Sequence, residues 1–548
     1  MLQFHTSGSL DKSIDISSPL AKYASKYWIS HIQSSGNNHS WSSSLFSLMT
    51  KLLSTENPAF FNWVRLWDID ELWPNKRSLK KKREDIAGPL YYAVRAGLTD
   101  IAYFLLEQGA DVNMQGGYYG NALQAASLEG HVIIVGLLIQ RGADIHTLEG
   151  HFGNALQAAS FGGHEEIVNL LVNHGVDVNA HGGKFGSALQ AASYGGHKKT
   201  AQLLIHKGAN VHSQGGYYGN TLQAASVGGH EEIVNVLVEH GVDVNAHGGE
   251  FGNALQAASH SGHKKIVQLL IEKEANVNSQ GGPYGNALQA ASYKGYRAIV
   301  ILLLEHGVDV NAHGGKFGSA LQAACYGGND KIVQFLMEKG ANVNSQGGSY
   351  ENALQAASFG GYETIVTLLV KHGADINVIG GNFGSALQAA SFRGHEKIVQ
   401  LLIEKGVNVH SQGGFYGNPL QAASFGGYEA IVLLLIEHGV DVNTHGGEFG
   451  SALQAASYGG HEKVVQLLID KGANVHFQGG CYGNALQAAS LKGHESIVIL
   501  LVEHGVNVNV HGGEFGSALQ AASSRGYEKI VQLLIKNGAT ALQSPTDN

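Results

Sequence analysis

Along most of the chain, two helical patterns of apolar and polar residues follow one another. The first is built mainly from small apolar residues and the second from larger ones. In the stretch 187–212, Ala188, Leu189 and Ala191 open a short helix after Ser187, whose side chain suits an N-cap. Farther on, apolar residues at helical spacing, Ile-Val-x-Leu-Leu in most copies, predict a second helix. A Gly follows each helix, as expected of a left-handed C-cap. The pattern therefore predicts a helix, a turn, a second helix and then a projecting loop.

The string Ala-Leu-Gln-Ala-Ala-Ser recurs at a fixed distance of 33 residues or its multiples. It begins at Ala122, Ala155, Ala188, Ala254, Ala287, Ala353, Ala386, Ala452, Ala485 and Ala518, with variants at Thr221, Ala320 and Pro419 and a degenerate copy at Pro89. A fixed period of this length is typical of stacked units, none of which can bury its apolar face alone. The sequence therefore predicts one long array of repeats.

The longer pattern Gly-His-x-x-Ile-Val-x-Leu-Leu-x-x-x-Gly-Ala-Asp-Val-Asn resembles the ankyrin repeat over residues 89–540. This resemblance implies an all-α fold, an ankyrin-repeat solenoid of about 14 helix-turn-helix repeats with short projecting finger loops. Two departures are regular. Asn/Ser-Ala-Leu-Gln stands where the family has Thr-Pro-Leu-His, and Gly-Gly-x-Phe/Tyr-Gly replaces the Asp-Gly turn of the finger.

A second period of 66 residues is superposed on the first. Loops that begin with His-Gly-Gly alternate with loops that begin with Gln-Gly-Gly. The His loops start at His181, His247, His313, His445 and His511, and the Gln loops at Gln214, Gln280, Gln346, Gln412 and Gln478. This alternation indicates that the array grew by duplication of two-repeat blocks.

The first 88 residues do not repeat and contain all five Trp residues. Apolar spacing predicts helices over about 19–33, 42–53 and 60–67. The segment resembles, more weakly, the helical region before the ankyrin arrays of fungal NACHT–ankyrin proteins, which are similar to NLR immune receptors. The nucleotide-binding motif of that family, Gly-x-x-x-x-Gly-Lys-Ser/Thr, does not occur. We expect either a standalone relative or a piece of a longer chain.

The chain is therefore divided into three parts. Residues 1–88 are predicted to form an N-terminal helical cap, because the end of a solenoid must be covered. Its basic linker, 75–84, is interpreted as a solvated segment, with a nuclear-import signal as the alternative. Residues 89–540 form the array, and 541–548 are a polar tail.

Charge and composition narrow the class of partner. The net charge is −9, and the part after residue 88 is more acidic still, which argues against nucleic acid as a partner. Residues 1–10 do not resemble a signal peptide, and no apolar run is long enough to span a membrane. Cys325 and Cys481 are far apart in sequence and are expected to be free thiols. We expect an intracellular protein, favouring the cytoplasm and leaving the nucleus open.

Candidate chemistry is abundant but tied to repeat positions. The 29 His residues recur at three places in the repeat, and equivalent positions in neighbouring repeats are too far apart to share one zinc ion. The Gly-rich loops resemble phosphate cradles, yet they recur in almost every repeat and lack the required Lys. No Ser, His or Asp is unique enough to be a nucleophile with its own base. We therefore predict no catalytic residue, no metal site, no cofactor and no enzyme activity.

Two series of residues are predicted to bind partners. The inner aromatic row follows the Ala-Ala-Ser motif, a position that faces the concave groove in the ankyrin family, and could equally pack against the adjoining loop. It consists of Phe161, Tyr194, Tyr293, Tyr326, Phe359, Phe392, Phe425 and Tyr458. The tip row lies in the fingers and varies in charge and size while its surroundings stay fixed. It consists of Tyr118, Lys184, Tyr217, Glu250, Lys316, Phe415, Glu448 and Glu514.

The aromatic residue after each tip forms a third series, the loop ladder, which is too regular for specificity and is predicted to join finger to finger. It begins with Tyr119, Phe152, Phe185, Tyr218, Phe251, Tyr284 and Phe317 and continues onward. The favoured function is protein–protein recognition through the groove and the fingers, and the resemblance to NLR-like proteins implies a role as the sensor part of such a system. A structural scaffold or spacer without a selective surface is the alternative. Variation at surface positions over a constant core favours recognition.

Two sequence irregularities predict weak points. Glu274 replaces the Gly that closes the second helix in every other copy, and Glu351 replaces a loop Gly. A residue with a side chain held at positive φ costs roughly 1 kcal/mol. The last repeat has no evident cap of its own, so we also expect self-association through the C-terminal end of the array.

Overall fold

The structure, a computed structural model, describes residues 43–53, 58–66 and 81–540. The predicted helix over 19–33, Trp67, residues 75–80 of the basic linker and the tail 541–548 lie outside the described residues. Helices make up nearly all of the regular secondary structure of the described residues, and the all-α prediction of successive helix-turn-helix repeats is confirmed. It separates into two compact units, residues 1–275 and 276–548.

Unit 1 begins with two helices outside the repeats and a short 3-10 turn, Arg83–Asp85. The helices of this unit are α1 (Ser43–Leu52), α2 (Pro58–Leu66), α3 (Pro89–Arg95), α4 (Thr99–Glu107), α5 (Ala122–Glu129), α6 (Val132–Gln140), α7 (Ala155–Gly162), α8 (Glu165–Asn173), α9 (Ala188–Gly195), α10 (Lys198–His206), α11 (Thr221–Gly228), α12 (Glu231–Glu239), α13 (Ala254–Ser261) and α14 (Lys264–Glu272). Beyond α2, they form successive pairs of an inner and an outer helix.

Helices α1 and α2 lie against the first repeat. Phe60 and Trp63 of α2 are buried, and their rings meet Tyr92 edge-on at 5.6 and 5.7 Å between centroids. Phe46 of α1 meets Phe104 in the same way at 5.7 Å. These aromatic contacts bury the apolar face of the first helix pair on the side that has no preceding repeat.

Unit 2 consists of eight helix pairs. They are α15 (Ala287–Lys294), α16 (Arg297–Glu305), α17 (Ala320–Gly327), α18 (Asp330–Glu338), α19 (Ala353–Gly360), α20 (Glu363–Lys371), α21 (Ala386–Arg393), α22 (Glu396–Glu404), α23 (Pro419–Gly426), α24 (Glu429–Glu437), α25 (Ala452–Gly459), α26 (Glu462–Asp470), α27 (Ala485–Lys492), α28 (Glu495–Glu503), α29 (Ala518–Ser524) and α30 (Glu528–Lys536).

Local sequence explains where the inner helices begin and end. Before α7, the Asn154 side chain accepts a hydrogen bond from the backbone N–H of Gln157, and the Gln157 side chain accepts one from Asn154, both at 2.8 Å. This reciprocal capping box satisfies two N–H groups that the first helical turn leaves free. Gly163 then ends the helix with φ near 75°, a left-handed conformation that Gly adopts without a steric penalty.

The core of each repeat is built from small inner and larger outer side chains. In the third helix pair, Ala158 and Ala159 of the inner helix are fully buried, as are Ile167 and Leu171 of the outer helix. Small Ala side chains let the inner helices of successive repeats approach closely, while the outer helices contribute Ile, Val and Leu. Replacing such a buried Leu or Ile by Ala costs about 2–5 kcal/mol, so these positions set the stability of the array.

The finger loops carry the little β-structure of the described residues. One antiparallel pair is assigned, β1 (Gln214–Gly215) with β2 (Gly219–Asn220). Isolated bridges join the same two positions of other fingers: Gly182–Gly186 and Gly248–Gly252 in unit 1, and Gly281–Gly285, Gly314–Gly318, Gly380–Gly384, Gly413–Gly417 and Gly446–Gly450 in unit 2. Each finger is therefore a tight turn closed on itself.

Two residues with side chains occupy positive φ among the described residues, and they are the two that break the Gly pattern. Glu274 has a φ of 64° and Glu351 a φ of 62°. Both therefore adopt the backbone conformation that Gly adopts at the equivalent position of the other repeats. This conformation is strained for a residue that has a side chain.

Candidate functional site

Each finger is held by the Gln of the preceding inner helix. Gln223 Nε2 donates hydrogen bonds to the carbonyl oxygens of Gly248 at 3.0 Å and Gly252 at 2.8 Å. Gln421 makes the same pair of bonds to Gly446 and Gly450 at 3.0 and 2.9 Å. A side-chain amide carries the donors and the acceptor needed to cap its own helix and to reach the next finger. This explains why Gln stands where the ankyrin pattern has His.

Successive fingers are also joined directly, tip to tip. The backbone N–H of Tyr217 donates to Lys184 O at 2.8 Å, and that of Glu250 donates to Tyr217 O at 3.0 Å. In unit 2, Phe415 N–H donates to Asn382 O and Glu448 N–H to Phe415 O, both at 3.1 Å. We call this chain of bonds the tip spine. It fixes the spacing of neighbouring tips whatever side chain each tip carries.

The tip spine requires glycine beneath it. Gly183 has a φ of 58°, and a Cβ placed there would lie 2.2 Å from the carbonyl carbon of Phe152 in the preceding finger. A side chain of any size would push the two fingers apart and break the hydrogen bond between their tips. The Gly-Gly pair, which departs from the usual ankyrin turn, is thus what allows the fingers to touch.

The tip row points outward from this spine. Tyr118, Tyr217 and Phe415 keep 50%, 46% and 46% of their surface exposed. The charged tips Lys184, Glu250, Lys316 and Glu514 are exposed as well, whereas Glu448 is partly buried. Large aromatic side chains exposed to water on a fixed backbone are the kind of surface that partner proteins cover.

Neighbouring tips interact with one another as residues on adjacent strands do. The Tyr118 ring stacks on His151 with centroids 4.6 Å apart. Lys184 Nζ lies 5.8 Å from the centre of the Tyr217 ring, within the range of a cation–π contact. Burial, and then the Glu250 carboxylate, raise the pKa of Tyr217 above its ordinary value, so its hydroxyl stays a hydrogen-bond donor.

The inner aromatic row is half-buried along its whole length. In unit 1, the Phe161 ring lies 5.0 and 5.1 Å from the rings of Phe152 and Phe185, and Tyr194 lies 4.6 Å from Tyr218. Each ring of the row therefore fits between two rings of the loop ladder. Packing against the adjoining loop, one of the two alternatives for this row, accounts for the buried part of each ring.

Unit 2 continues both rows over six repeats. Within the inner aromatic row, Tyr293, Tyr326, Phe359, Phe392, Phe425 and Tyr458 follow one another at 5.7 to 6.3 Å between ring centroids. Within the loop ladder, Phe449 stacks on Tyr416 at 6.1 Å and on Tyr482 at 5.6 Å. Aromatic pairs contribute about 0.5–1.5 kcal/mol each beyond area burial, so the double row stiffens the fingers.

The His residues after the inner helices join repeats through hydrogen bonds. His164 Nε2 lies 2.8 Å from Leu128 O, and His230 Nε2 lies 2.9 Å from Tyr194 O, each in the preceding repeat. Asn329 replaces His in one repeat and donates its Nδ2–H to Tyr293 O at 3.0 Å. Among the described residues, no group of three or more His, Cys, Asp or Glu side chains is placed to hold a metal ion.

A further His series accounts for the 66-residue period. His181 Nε2 lies 3.2 Å from Ser213 Oγ in the following finger, and His313 Nε2 lies 3.1 Å from Ser345 Oγ. A His loop is thus bonded to the Ser that precedes the next Gln loop. The two loop types form complementary pairs, which explains why they alternate.

Burial also governs the ionisable side chains in the rows and the core. It raises the pKa of Tyr416 to about 12 and raises the pKa of Cys325, which is fully buried. Cys325 and Cys481 are both free. A buried thiol that stays protonated is unreactive, so Cys325 acts as a small core residue.

Sequence reasoning placed the tip row and both aromatic rows but missed the parts that join them. The role of the repeated Gln and the tip spine did not emerge from the pattern alone. The available signal was the presence of Gln in all 13 regular copies at a helical position with no apolar function. A buried amide that recurs without exception indicates a hydrogen bond to a fixed partner.

Paired helices, closed fingers and side-chain bonds from one repeat to the next define each unit as a stack of helical repeats with projecting fingers. The model for "Ankyrin repeats (3 copies)" matches residues 123–215, 155–248, 221–314, 313–380, 379–446 and 452–544, and the model for "Ankyrin repeat" matches 88–117. The chain therefore belongs to the ankyrin repeat family. Ankyrin repeats generally mediate protein–protein interaction, and the family is typically non-enzymatic.

A fungal relative resembles part of the array. The "Azaphilone pigments biosynthesis cluster protein L" of Monascus ruber is 36% identical over 140 residues, which cover 24% of this chain and 29% of the relative. The alignment thus spans less than a third of the relative's length and is confined to part of each protein. Separately, no helix in the described part of the chain is long and apolar enough to cross a membrane.

Proposed function

We propose that this chain is a protein-recognition module whose tip row provides the selective surface. The observation that carries this proposal is a contrast at the finger tips. The bonds of the tip spine recur between successive tips, from His151 to Glu250 in unit 1 and from Pro283 to Glu514 in unit 2, while the side chains of the tip row change from Tyr to Lys to Glu to Phe. A rigid, preformed row of projecting residues loses little conformational entropy when a partner docks. Side chains that vary on a fixed backbone then determine which partner fits.

The inner aromatic row is proposed as the second part of the surface, facing the groove that the ankyrin resemblance implies. The half-buried rings leave part of each side chain accessible, and their neighbours hold them in place. Aromatic anchors held rigid before binding are typical hot spots of protein interfaces. The partner would be another protein rather than nucleic acid or a membrane, and no catalysis is involved.

The wider assignment rests on the sequence. We propose the division into a cap with its basic linker (1–88), an array (89–540) and a tail (541–548), and an intracellular protein, with the cytoplasm favoured over the nucleus. A place as the sensor part of an NLR-like system follows from the weak resemblance of the first 88 residues. Exposed Tyr527 and Ile535 in the last repeat, at 37% and 55%, support self-association through the C-terminal end.

A structural scaffold or spacer is the second candidate function. It is favoured by the stacked rings of the loop ladder and by the regular Gln and His bonds, which recur whether or not a partner is present. In that case the repeats would provide reach and stiffness, and the tip row would vary only because it is free of packing constraints.

Quantitative affinity capture distinguishes the two. The full chain would be compared with a tip variant (Tyr118→Ser, Tyr217→Ser, Phe415→Ser) and with an inner-row variant (Tyr293→Ala, Tyr326→Ala, Phe359→Ala, Phe392→Ala, Phe425→Ala). A matched control replaces exposed apolar residues on outer helices, Ile133→Ser and Ile499→Ser.

If the chain is a recognition module, one set of proteins is retained by the parent and the control and lost by the folded tip variant. Loss from the inner-row variant as well would place the groove in the same interface. If all four chains retain the same proteins in the same amounts, the spacer function replaces recognition.

A further inference from the structure

The regular stacking of rings ends before the array does. Position 491 of the inner aromatic row is Leu and position 524 is Ser, whereas the loop ladder continues to Phe515. Two repeats earlier, Phe425 lies 5.4 and 5.0 Å from the ladder rings of Tyr416 and Phe449. An aromatic residue at 491 would stand in the same relation to Tyr482 and Phe515, and Leu491 is too short to fill that place.

A cavity of about 260 Å³ lies where the ring is missing. It is lined by Tyr458, Tyr482, Leu491, Lys492, Glu514, Phe515, Arg525 and Tyr527. Phe515, one of these lining residues, is partly exposed. Because an apolar cavity of about 150 Å³ already accommodates benzene, this one has room for a single ring and a small polar group.

The charges at the cavity favour an anion. Lys492 Nζ lies 4.4 Å from the centre of the Tyr458 ring, and Arg525 lines the same cavity from the next repeat. Most other repeats have Gly at the position of Lys492, and Lys294 and Arg393 are isolated cations there, whereas Lys492 and Arg525 occupy this position in two successive repeats. Glu514 contributes one carboxylate, which leaves a net charge of +1 on the lining side chains.

We infer that this cavity binds an aromatic acid. The ring of the ligand takes the place of the missing inner-row side chain beside Tyr482 and Phe515, and its acid group pairs with Lys492 and Arg525. This site goes beyond the proposed function, because such a ligand needs no protein interface. The same chemistry has two sources, a free small aromatic acid or the C-terminal aromatic residue of another chain.

Titration of the full chain with N-acetylphenylalanine, followed by calorimetry, tests the inference. The probe should bind, and its neutral amide should bind at least about tenfold more weakly, since a hydrogen bond to a charged group contributes a factor of this order. N-acetylleucine should also bind more weakly, because it lacks the ring. Equal binding of acid and amide, or no binding of the acid, would overturn the inference.

Filling the cavity provides the decisive variant. Leu491→Phe restores the usual aromatic residue of the row and should abolish binding, while thermal unfolding shows that the chain remains folded. Leu128→Phe makes the same change at the same repeat position in unit 1 and should leave binding intact.

A second variant, Lys492→Gln with Arg525→Gln, tests the charges of the cavity. It should weaken the binding of N-acetylphenylalanine and leave the binding of its neutral amide unchanged. Unchanged affinity in Leu491→Phe contradicts the assignment.

A competition experiment with a peptide identifies the source of the aromatic acid. A peptide ending in Phe with a free carboxylate should compete with N-acetylphenylalanine if the cavity accepts a protein C-terminus, and the amidated peptide should not compete. Binding of the small acid without the peptide assigns the cavity to free aromatic acids. In both cases, partner capture by the tip row is measured separately, so failure of one proposal does not imply failure of the other.

Discussion

The tip row and the loop ladder are neighbours in sequence and opposites in environment. Lys184 and Lys316 are exposed, whereas Phe185 and Phe317, each one residue later, are 2% and 1% exposed. Successive residues of an extended segment point to opposite faces, so one residue of each pair faces solvent and the next is buried between fingers. The comparison teaches that a single short loop can provide both a stable joint and a variable surface.

The largest expected effect on stability comes from removing a buried ring of the loop ladder. Phe449→Ala removes a ring that stacks on Tyr416 and Tyr482 and should lower the free energy of unfolding by about 3–5 kcal/mol. The tip change Phe415→Ala should lower it by only about 1 kcal/mol, because that ring is 46% exposed and keeps only edge-on contacts with Tyr416 and Phe449. Urea denaturation measures both. If both variants lost a similar free energy of unfolding, the loop ladder would not contribute more to stability than the tip row does.

A smaller effect is expected when the bond that holds a finger is removed. Gln421→Ala deletes the donor to Gly446 and Gly450 and should cost about 1–3 kcal/mol, because two hydrogen bonds of about 0.5–1.5 kcal/mol each are lost. Hydrogen exchange should accelerate in the finger 446–450. Gln400→Ala is the control, since that Gln bonds only the exposed Glu404 on its own helix. If finger exchange is unchanged in Gln421→Ala, the Gln does not hold the finger.

Backbone strain allows a stabilising test. Glu274→Gly should raise the free energy of unfolding by roughly 1 kcal/mol, because Glu274 is held at a φ of 64°. Glu272→Gly, in the last turn of α14, should instead destabilise by about 1 kcal/mol, because Gly is a poor helix former. Thermal melting of the two variants checks both signs. A lower melting temperature for Glu274→Gly would rule out strain at this position.

The smallest expected effect depends on pH. Burial lowers the pKa of His494 below its ordinary value of 6.5, and the bond to Tyr458 O does not cancel this effect. The unfolded chain then binds the proton more readily than the folded one, so stability is full above pH 6.5 and declines as pH falls below it.

His494→Asn tests this dependence, because Asn329 occupies the equivalent position of another repeat and keeps the bond. The urea midpoint of the variant should decline less than that of the parent as the pH is lowered from neutral. Identical declines would exclude His494 as a source of the pH dependence.

Sequence alone predicted most of the fold because each repeat is specified locally. Asn154 and Gly163 mark the ends of α7 through their own backbone preferences, and the apolar spacing of Ile167 and Leu171 defines the buried face of the next helix, α8. Glu274 and Glu351 were found by the same logic, since a position that needs Gly is visible wherever Gly is missing.

The site was only partly predictable because it depends on distances between repeats. The bond from Tyr217 N–H to Lys184 O joins residues 33 apart, and no local pattern states that two fingers approach so closely. The cavity beside Phe515 arises from a side chain that is too short at Leu491, an effect that appears only when neighbouring rings are in place. A break in the aromatic row at 491 and 524 was the available signal.

The central claim is that the tip row selects the partner while the ladder beneath it provides stability. A charge-exchange variant tests it most directly: Lys184→Glu, Glu250→Lys, Lys316→Glu and Glu514→Lys, which leaves the net charge unchanged. The dissociation constant for the protein most strongly retained by the parent and the urea midpoint are measured on the same samples. The account predicts an affinity at least about tenfold weaker with an unchanged midpoint. Unchanged affinity, or a midpoint that falls together with it, would contradict the claim.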